Sequence, residues 1–290
     1  MKNYEHICFI GGDERQKYAA QCLAEYIKIH TVGKVFENIK NSFVTHFENP
    51  LKAIYGARAI VLPLPAAASE SIIAFSEITD IISKNQNEIY LIGGKFSPYL
   101  KGMIQNSNIR FVDYYDDEIF TVKNAFLTAE GALQLAMSAL KKSICGSKCA
   151  ILGYGRIGKA LGEMLKKLGA EVTVFARKDE VLVWAEQVGL KISKIDEKND
   201  ASMGSLSDYN IIFNTVPERI IPNETLLALS ADTLLIELAS MPGGFDPDIA
   251  EQCDVRYING GGLPGKYAPE TAGNIVGETI LKYLKKEGIL

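Results

Sequence analysis

The segment that most constrains the fold is the apolar run Lys148 to Leu152, which passes directly into Gly153-Tyr154-Gly155-Arg156-Ile157-Gly158 and then a helical pattern reaching Leu168. Three glycines in this spacing suit a strand that turns tightly into a helix. In a dinucleotide-binding unit Gly153 permits the turn, Gly155 lets the backbone approach a pyrophosphate, and Gly158 lets the helix sit close to the sheet. The helix N-terminus then meets the phosphates with its partial positive charge. A glycine-rich turn with no ligand is the plainer alternative. The strand, loop, helix and next strand, Glu171 to Phe175, stand in the register of a βαβ unit, which favours the cofactor.

That next strand ends in Ala176, Arg177 and Lys178. An NAD enzyme usually places Asp or Glu here to accept from the ribose hydroxyls, and this chain has none before Asp179. A carboxylate repels a ribose phosphate, whereas Arg177 can grip one with two parallel bonds and Lys178 adds charge. NADP is favoured over NAD. In the alternative both side chains are solvated and Asp179 turns inward to read NAD. Downstream, Asn214 followed by Thr215, Val216 and Pro217, and the Glu237 to Gly244 segment with Ser240, fall where later strands of such a fold end beside the cofactor.

The chain outside this unit also alternates β-type runs with amphipathic stretches, the pattern of parallel sheets covered by helices. Expected strands in the first half are His6 to Ile10, Val32 to Glu37, Ala59 to Leu64 and Glu88 to Ile92, with a helix from Arg15 to Ile29. Further strands are expected at Ile211 to Asn214, Thr233 to Leu238 and Arg256 to Ile258. The fold class is therefore α/β, two doubly wound parallel-sheet domains with a cleft between them. Residues 1–126 form a flavodoxin-like substrate domain, and 127–270 a Rossmann NADP-binding domain entered by a linking helix over 128–142, with Thr128 as its N-cap. An amphipathic C-terminal helix, within 271–290, packs back on the first domain.

Composition narrows the function. A net charge of −4, with lysines spread along the chain, gives no footprint for nucleic acid. No stretch reaches the ~18 apolar residues of a membrane span, and Met1 to Phe9 does not read as an export signal, so a cytoplasmic protein is expected. Five cysteines without tight spacing suggest neither a disulfide framework nor a metal site.

All three histidines, His6, His30 and His46, fall in the first half. Lactate-type and D-hydroxy-acid-type dehydrogenases take the hydroxyl proton with a histidine in or after the nucleotide domain, so their mechanism is disfavoured. Positioning matters more here than a strong base. In the segment from Asn259 to Gly273, the glycines around Gly262, Leu263, Pro264 and Gly265 could converge backbone N–H groups on an anion that Lys266 neutralises; a plain loop leading to the last helix is the alternative. After Gly11, Gly12 and Asp13, Arg15 lies in the first turn of a helix, where a cation needs an anionic partner, either a ligand or Glu14.

Taken together, these motifs resemble the dipicolinate synthase A-subunit family. The resemblance spans nearly the whole chain: Gly11-Gly12-Asp13 with Arg15-Gln16, Leu62 to Pro65, Thr128-Ala129-Glu130-Gly131, the glycine loop, Asn214 to Pro217, Leu238 to Ser240 with Pro242 to Gly244, and Gly262 to Gly265 leading to Ala268-Pro269 and Thr271 to Gly273. It implies NADP-dependent oxidation of a dihydrodipicolinate to pyridine-2,6-dicarboxylate in the mother cell of a sporulating bacterium. It also implies that the partner is a flavoprotein-like B subunit, and that the chain assembles as a homo- or hetero-oligomer.

A dicarboxylate substrate calls for cations and N–H groups, for which Arg15, Lys95, Lys266 and the glycines around Gly262 are candidates, with Gly12, Asp13 and Thr128 beside them. Glu130, Lys266 and Tyr267 are the candidate catalytic residues, Glu130 or Tyr267 relaying the proton. The chain departs from the family pattern at Met241 and Glu270, where lysines are common, and at Lys266, where an apolar residue is usual. Oxidation of another small carboxylic acid, or a dinucleotide-binding subunit without chemistry of its own, are the competing functions.

Overall fold

The computed structural model describes residues 6–84, 89–107, 109–195 and 206–290. They form two units, one comprising the chain up to Lys123 together with Ala268–Leu290, the other Asn124–Tyr267. Each is built on one six-stranded parallel sheet.

In the first unit the order along the chain is β1 (His6–Ile10), α1 (Glu14–Leu23), β2 (Lys28–Val32), β3 (Val44–Phe47), α2 (Pro50–Ile54), β4 (Ala59–Val61), α3 (Phe75–Lys84), β5 (Tyr90–Gly93), α4 (Pro98–Asn106), β6 (Phe111–Asp113) and the start of α5 (Glu118–Ala139). The strands lie in the order β3-β2-β1-β4-β5-β6. β1, β4 and β5 are buried along their whole length, as continuous apolar strands between two helical layers must be. The strand order reverses between β1 and β4, so the loops after these strands flank a switch point of the sheet.

α11 (Pro269–Lys286) packs on α1, burying Val276, Ile280 and Leu284 against Ala19, Ala20 and Leu23. The helices touch because Gly273 lacks a side chain; a Cβ there would stand 2.5 Å from both Arg15 O and Tyr18 Cβ. Two members of the Thr271 to Gly273 motif, Ala272 and Gly273, thus serve helix packing.

The second unit continues α5 and adds β7 (Lys148–Leu152), α6 (Arg156–Lys167), β8 (Glu171–Ala176), α7 (Asp179–Gln187), β9 (Lys191–Lys194), β10 (Ile211–Asn214), α8 (Asn223–Leu227), β11 (Leu234–Glu237), α9 (Pro247–Gln252), β12 (Tyr257–Asn259) and α10 (Leu263–Tyr267). The strand order β12-β11-β10-β7-β8-β9 has the Rossmann arrangement, with its switch point between β7 and β10.

Several expectations need correction. The first helix stops at Leu23, and the second strand is Lys28–Val32, not Val32 to Glu37; His30 and Thr31 pair with β1 in the middle of that strand. The expected strand from Glu88 begins outside the described residues, and β5 starts at Tyr90. A flavodoxin-like order would end at β2, but the half-exposed Val44–Phe47 adds an edge strand.

The helix expected over 128–142 starts at Glu118 and ends at Ala139. Its cap is Asp117, which accepts from Ile119 N and Phe120 N; Thr128 lies mid-helix and is not an N-cap. The segment around Gly262 to Gly265, expected as a loop, coils into α10.

Candidate functional site

The second unit carries a pocket of about 370 Å³ at the carboxyl end of its sheet, beside the glycine loop. Gly153 sits at φ 88°, and its N–H donates to Phe175 O at 2.8 Å. A Cβ on it would stand 2.7 Å from Thr215 Oγ1, and one on Gly158 would stand 2.4 Å from Gly153 O. No other residue fits these two positions without moving the turn. A Cβ on Gly155 would meet nothing within 4 Å, so the backbone there faces open space at the start of α6.

The far wall is the end of β8. Ala176, Arg177 and Lys178 line the pocket, and Arg177 Nη1 lies 3.1 Å from Glu218 Oε2, which lines the same pocket. Asp179 points elsewhere: it opens α7 and pairs with Lys194 Nζ at 2.8 Å, and it does not line the pocket.

Thr215, Val216 and Pro217 close the third side. Thr215 Oγ1 donates to Leu152 O at 2.8 Å, fixing the turn after β10 to the end of β7. Beneath it lies Glu237, buried at the end of β11. Its carboxylate accepts from Asn214 Nδ2, from Ala239 N and from Gly244 N, each at 2.8 Å. Burial pushes this carboxyl above its ordinary range, although the three donors favour its charged form. Glu237 thereby fixes the loop that carries Ser240, which is exposed.

On α5, Glu130 is exposed and Thr128 is buried, its hydroxyl donating to Asn124 O at 2.8 Å. α10 lies against this helix at Gly131, where a Cβ would stand 2.8 Å from Leu263 Cβ and 3.3 Å from Tyr267 Cδ2. The structure therefore brings the Thr128 to Gly131 and Gly262 to Gly265 motifs together. Leu263 and Pro264 are buried, while Gly262, Lys266 and Tyr267 are exposed.

In the first unit the loops at the switch point are tied by Arg15. Its guanidinium donates to both oxygens of Asp13, at 2.9 and 2.7 Å, and to Leu64 O at 2.9 Å. The partner is thus Asp13, not Glu14, which pairs with Lys17. Arg15 is buried while the Asp13 side chain is half exposed, so the carboxylate is the accessible member of the pair. Gly12, beside it, is exposed. Lys95 stands exposed at φ 56°, a left-handed conformation costly for a residue with a Cβ. Asp113 holds it there by accepting from Lys95 N at 2.7 Å and Phe96 N at 2.9 Å.

Of the residues expected at the cofactor, Gly153, Tyr154, Gly155, Ala176, Arg177, Lys178, Thr215, Val216 and Pro217 line one pocket. Arg156, Ile157 and Gly158 lie behind it in α6, and Ser240 lies on the loop after β11. Of the residues that shape these sites, Glu218 and Asp113 are not marked by any motif in the sequence, and Glu237, which opens the segment expected beside the cofactor, was given no role of its own there. Glu218 directly follows the Asn214 to Pro217 turn, which was a usable signal. Among the described residues no three His, Cys, Asp or Glu side chains are grouped to hold a metal ion, and no helix is long and apolar enough to cross a membrane.

The sheet order and glycine-loop pocket define the second unit as the nicotinamide-dinucleotide-binding domain of a dehydrogenase. Residues 121–239 match the D-isomer specific 2-hydroxyacid dehydrogenase, NAD binding domain, and residues 6–115 match the N-terminal domain of the dipicolinate synthase A subunit. The chain is 30% identical to the A subunit of dipicolinate synthase from Bacillus subtilis (strain 168), over 96% of this chain and 95% of that one. The solved structure of the Bacillus halodurans dipicolinate synthase A subunit superposes with a TM-score of 0.85 at 28% identity, covering 98% of this chain and 99% of that chain. Its counterpart from Bacillus subtilis gives 0.83 at 27%, covering 99% and 97%. This chain belongs to the dipicolinate synthase A-subunit family.

Proposed function

We propose that this chain oxidises a dihydrodipicolinate to pyridine-2,6-dicarboxylate with NADP as cofactor. The observation that carries the cofactor assignment is the pocket wall at β8, where Arg177 and Lys178 face the cavity and Asp179 is tied to Lys194. The pocket fits a dinucleotide: Gly155 leaves open space at the helix start, and substitution at Gly153 or Gly158 would close the turn that makes it. The bound cofactor supplies the hydride acceptor.

The chain's own residues then have distinct tasks. Gly155 and the start of α6 hold the pyrophosphate, Arg177 and Lys178 the ribose phosphate, and Thr215 to Pro217 with Ser240 the remainder of the cofactor. In the second unit Lys266 with the Gly262 to Gly265 segment neutralises substrate carboxylate, and in the first unit Lys95 is a candidate for the same task. Arg15, already paired, orients Asp13 next to Gly12. Leu263 seats α10 against α5 at Gly131, with Pro264 buried beside it and Thr128 buried one turn earlier in α5.

The dihydropyridine loses a hydride and a proton. Glu130 or Tyr267, neighbours of the Gly131 contact, takes the proton. Aromatisation drives the reaction, so no histidine base is required. The names of the relatives, each an A subunit, support a partner subunit; that it is a flavoprotein-like B subunit is what the family resemblance implies. An assembly of the two, in the cytoplasm of the mother cell during sporulation, completes the proposal.

The test is to incubate the chain with NADP and dihydrodipicolinate freshly formed from hydroxy-tetrahydrodipicolinate, with and without the partner. Formation of pyridine dicarboxylate that depends on this chain is expected. No product in either mixture refutes the reaction and leaves a dinucleotide-binding subunit without chemistry of its own.

A further inference from the structure

Glu218 lines the nucleotide pocket beside Arg177, the residue to which the NADP reading gives the ribose phosphate. Arg177 leaves the end of β8 and Glu218 follows the turn after β10, so the two come from opposite sides of the switch point. Their charged groups meet at 3.1 Å, and both residues line the nucleotide pocket. A carboxylate and a phosphate offer the same paired oxygens to a guanidinium. We propose that Glu218 competes with the 2′-phosphate for Arg177 and so sets how strongly the pocket prefers NADP to NAD; this inference rests on the NADP reading above.

The competition is set by charge and exposure. The phosphate carries about −1.5 to −2 charges near neutral pH, against one for Glu218. The side chains of Arg177 and Glu218 are 44% and 59% exposed, and ion pairs this open are weak. The phosphate can therefore displace Glu218, but the displaced carboxylate remains beside it and repels it. NAD has no phosphate there, and its ribose hydroxyls can donate to Glu218. One side chain thus acts in opposite senses on the two cofactors. Asp179 takes no part, since Lys194 holds it.

Titration calorimetry of NADP and NAD against the intact wild-type chain, Glu218→Gln and Arg177→Gln tests this. Glu218→Gln is expected to tighten NADP about three- to tenfold, the effect of one unit charge on a phosphate roughly 5 Å away in near-aqueous surroundings. NAD should stay the same or weaken by less than about threefold, and Glu218→Ala should move the ratio in the same direction. An unchanged ratio of the two affinities, equal tightening of both cofactors, or a shift towards NAD overturns the role of Glu218. Arg177→Gln separates this from the cofactor reading. If it costs NADP selectively while Glu218→Gln leaves the ratio unmoved, only the inference on Glu218 fails. If the wild type binds NADP no better than NAD and Arg177→Gln affects both alike, the NADP reading fails with it.

Discussion

Asn214 Nδ2 lies 2.8 and 3.0 Å from the two carboxylate oxygens of Glu237 and 2.9 Å from Val216 O. One buried amide thus joins the turn after β10 to the loop after β11, and Glu237 completes the join by accepting from Ala239 N and Gly244 N. Replacing Glu237 with Gln puts an amide N–H₂ against one of those backbone donors and leaves it unsatisfied. The expected cost is about 1–3 kcal/mol in urea unfolding, with weaker cofactor binding because Thr215 and Ser240 lose their support. Wild-type stability and affinity in Glu237→Gln would show that the join is dispensable.

Gly131→Ala separates packing from chemistry. Alanine favours a helix interior by about 1 kcal/mol over glycine, but here its Cβ would meet Leu263 Cβ at 2.8 Å. α10 must shift and carry Lys266 and Tyr267 with it. Turnover should fall at least about tenfold while the melting temperature changes little, since misplacement of this kind is costly to rate. Steady-state kinetics beside a thermal melt decide; full turnover contradicts the placement of α10 at the substrate.

Asp117 caps α5 and also accepts from Lys282 Nζ at 2.6 Å and Tyr283 OH at 3.2 Å on α11. Burial alone would raise its carboxyl; Lys282, the cap N–H groups and Tyr283 outweigh that and hold it below its ordinary range. Asp117→Ala should cost about 1–2 kcal/mol through loss of the cap, measured by urea unfolding. Asp117→Asn should cost less, because its carbonyl can still cap.

The pH dependence of stability should report His6 and His30. Their rings stack 3.6 Å apart, and His6 Nε2 and His30 Nδ1 both bond Ala53 O. Burial, then the neighbouring His30, pushes His6 down to about 4, and burial also lowers His30, with Lys28 nearby. Below pH 6.5 the unfolded chain therefore takes up a proton that the folded chain refuses. The histidine contribution should be lost as pH drops from about 6.5 to about 4, below which protonation of the depressed Asp117 carboxyl continues the loss of stability. The His6 shift is worth about 3 kcal/mol undiscounted, and solvent screening brings the expected loss to roughly 1–2 kcal/mol. His6→Asn should flatten the profile, and an unchanged slope in that variant would assign it elsewhere.

The strongest patterns in the sequence were the continuous apolar strands and the glycine loop, because burial on both faces and steric exclusion at Gly153 and Gly158 each demand particular residues. The edge strands were harder to see. Lys191–Lys194 and Val44–Phe47 are short and partly exposed, so neither alternates cleanly nor runs apolar. The start of α5 was missed although Ile119, Val122 and Phe126 recur at i, i+3 and i+7; that face is exposed, and the core-facing side carries Phe120 and Ala125 instead, so the apolar residues do not mark one buried stripe.

At the site, the sequence left a ligand or Glu14 as the partner of Arg15; the N-cap rule marks Asp13 as accepting from the first turn, but not that it also holds the Arg15 guanidinium. The segments that carry Glu218 and Glu237 were legible, but the roles of these two residues were not: each depends on a residue distant in the chain, Arg177 and Asn214, and no local pattern marks such a pairing.

The central claim is that the hydride leaves the dihydropyridine for NADP on this chain. The most direct measurement is the stoichiometry of reduced nicotinamide to pyridine dicarboxylate, followed under exclusion of oxygen with dihydrodipicolinate limiting. One NADPH for each dicarboxylate formed is the predicted result. Dicarboxylate appearing without reduced nicotinamide would contradict the account and place the electron acceptor elsewhere.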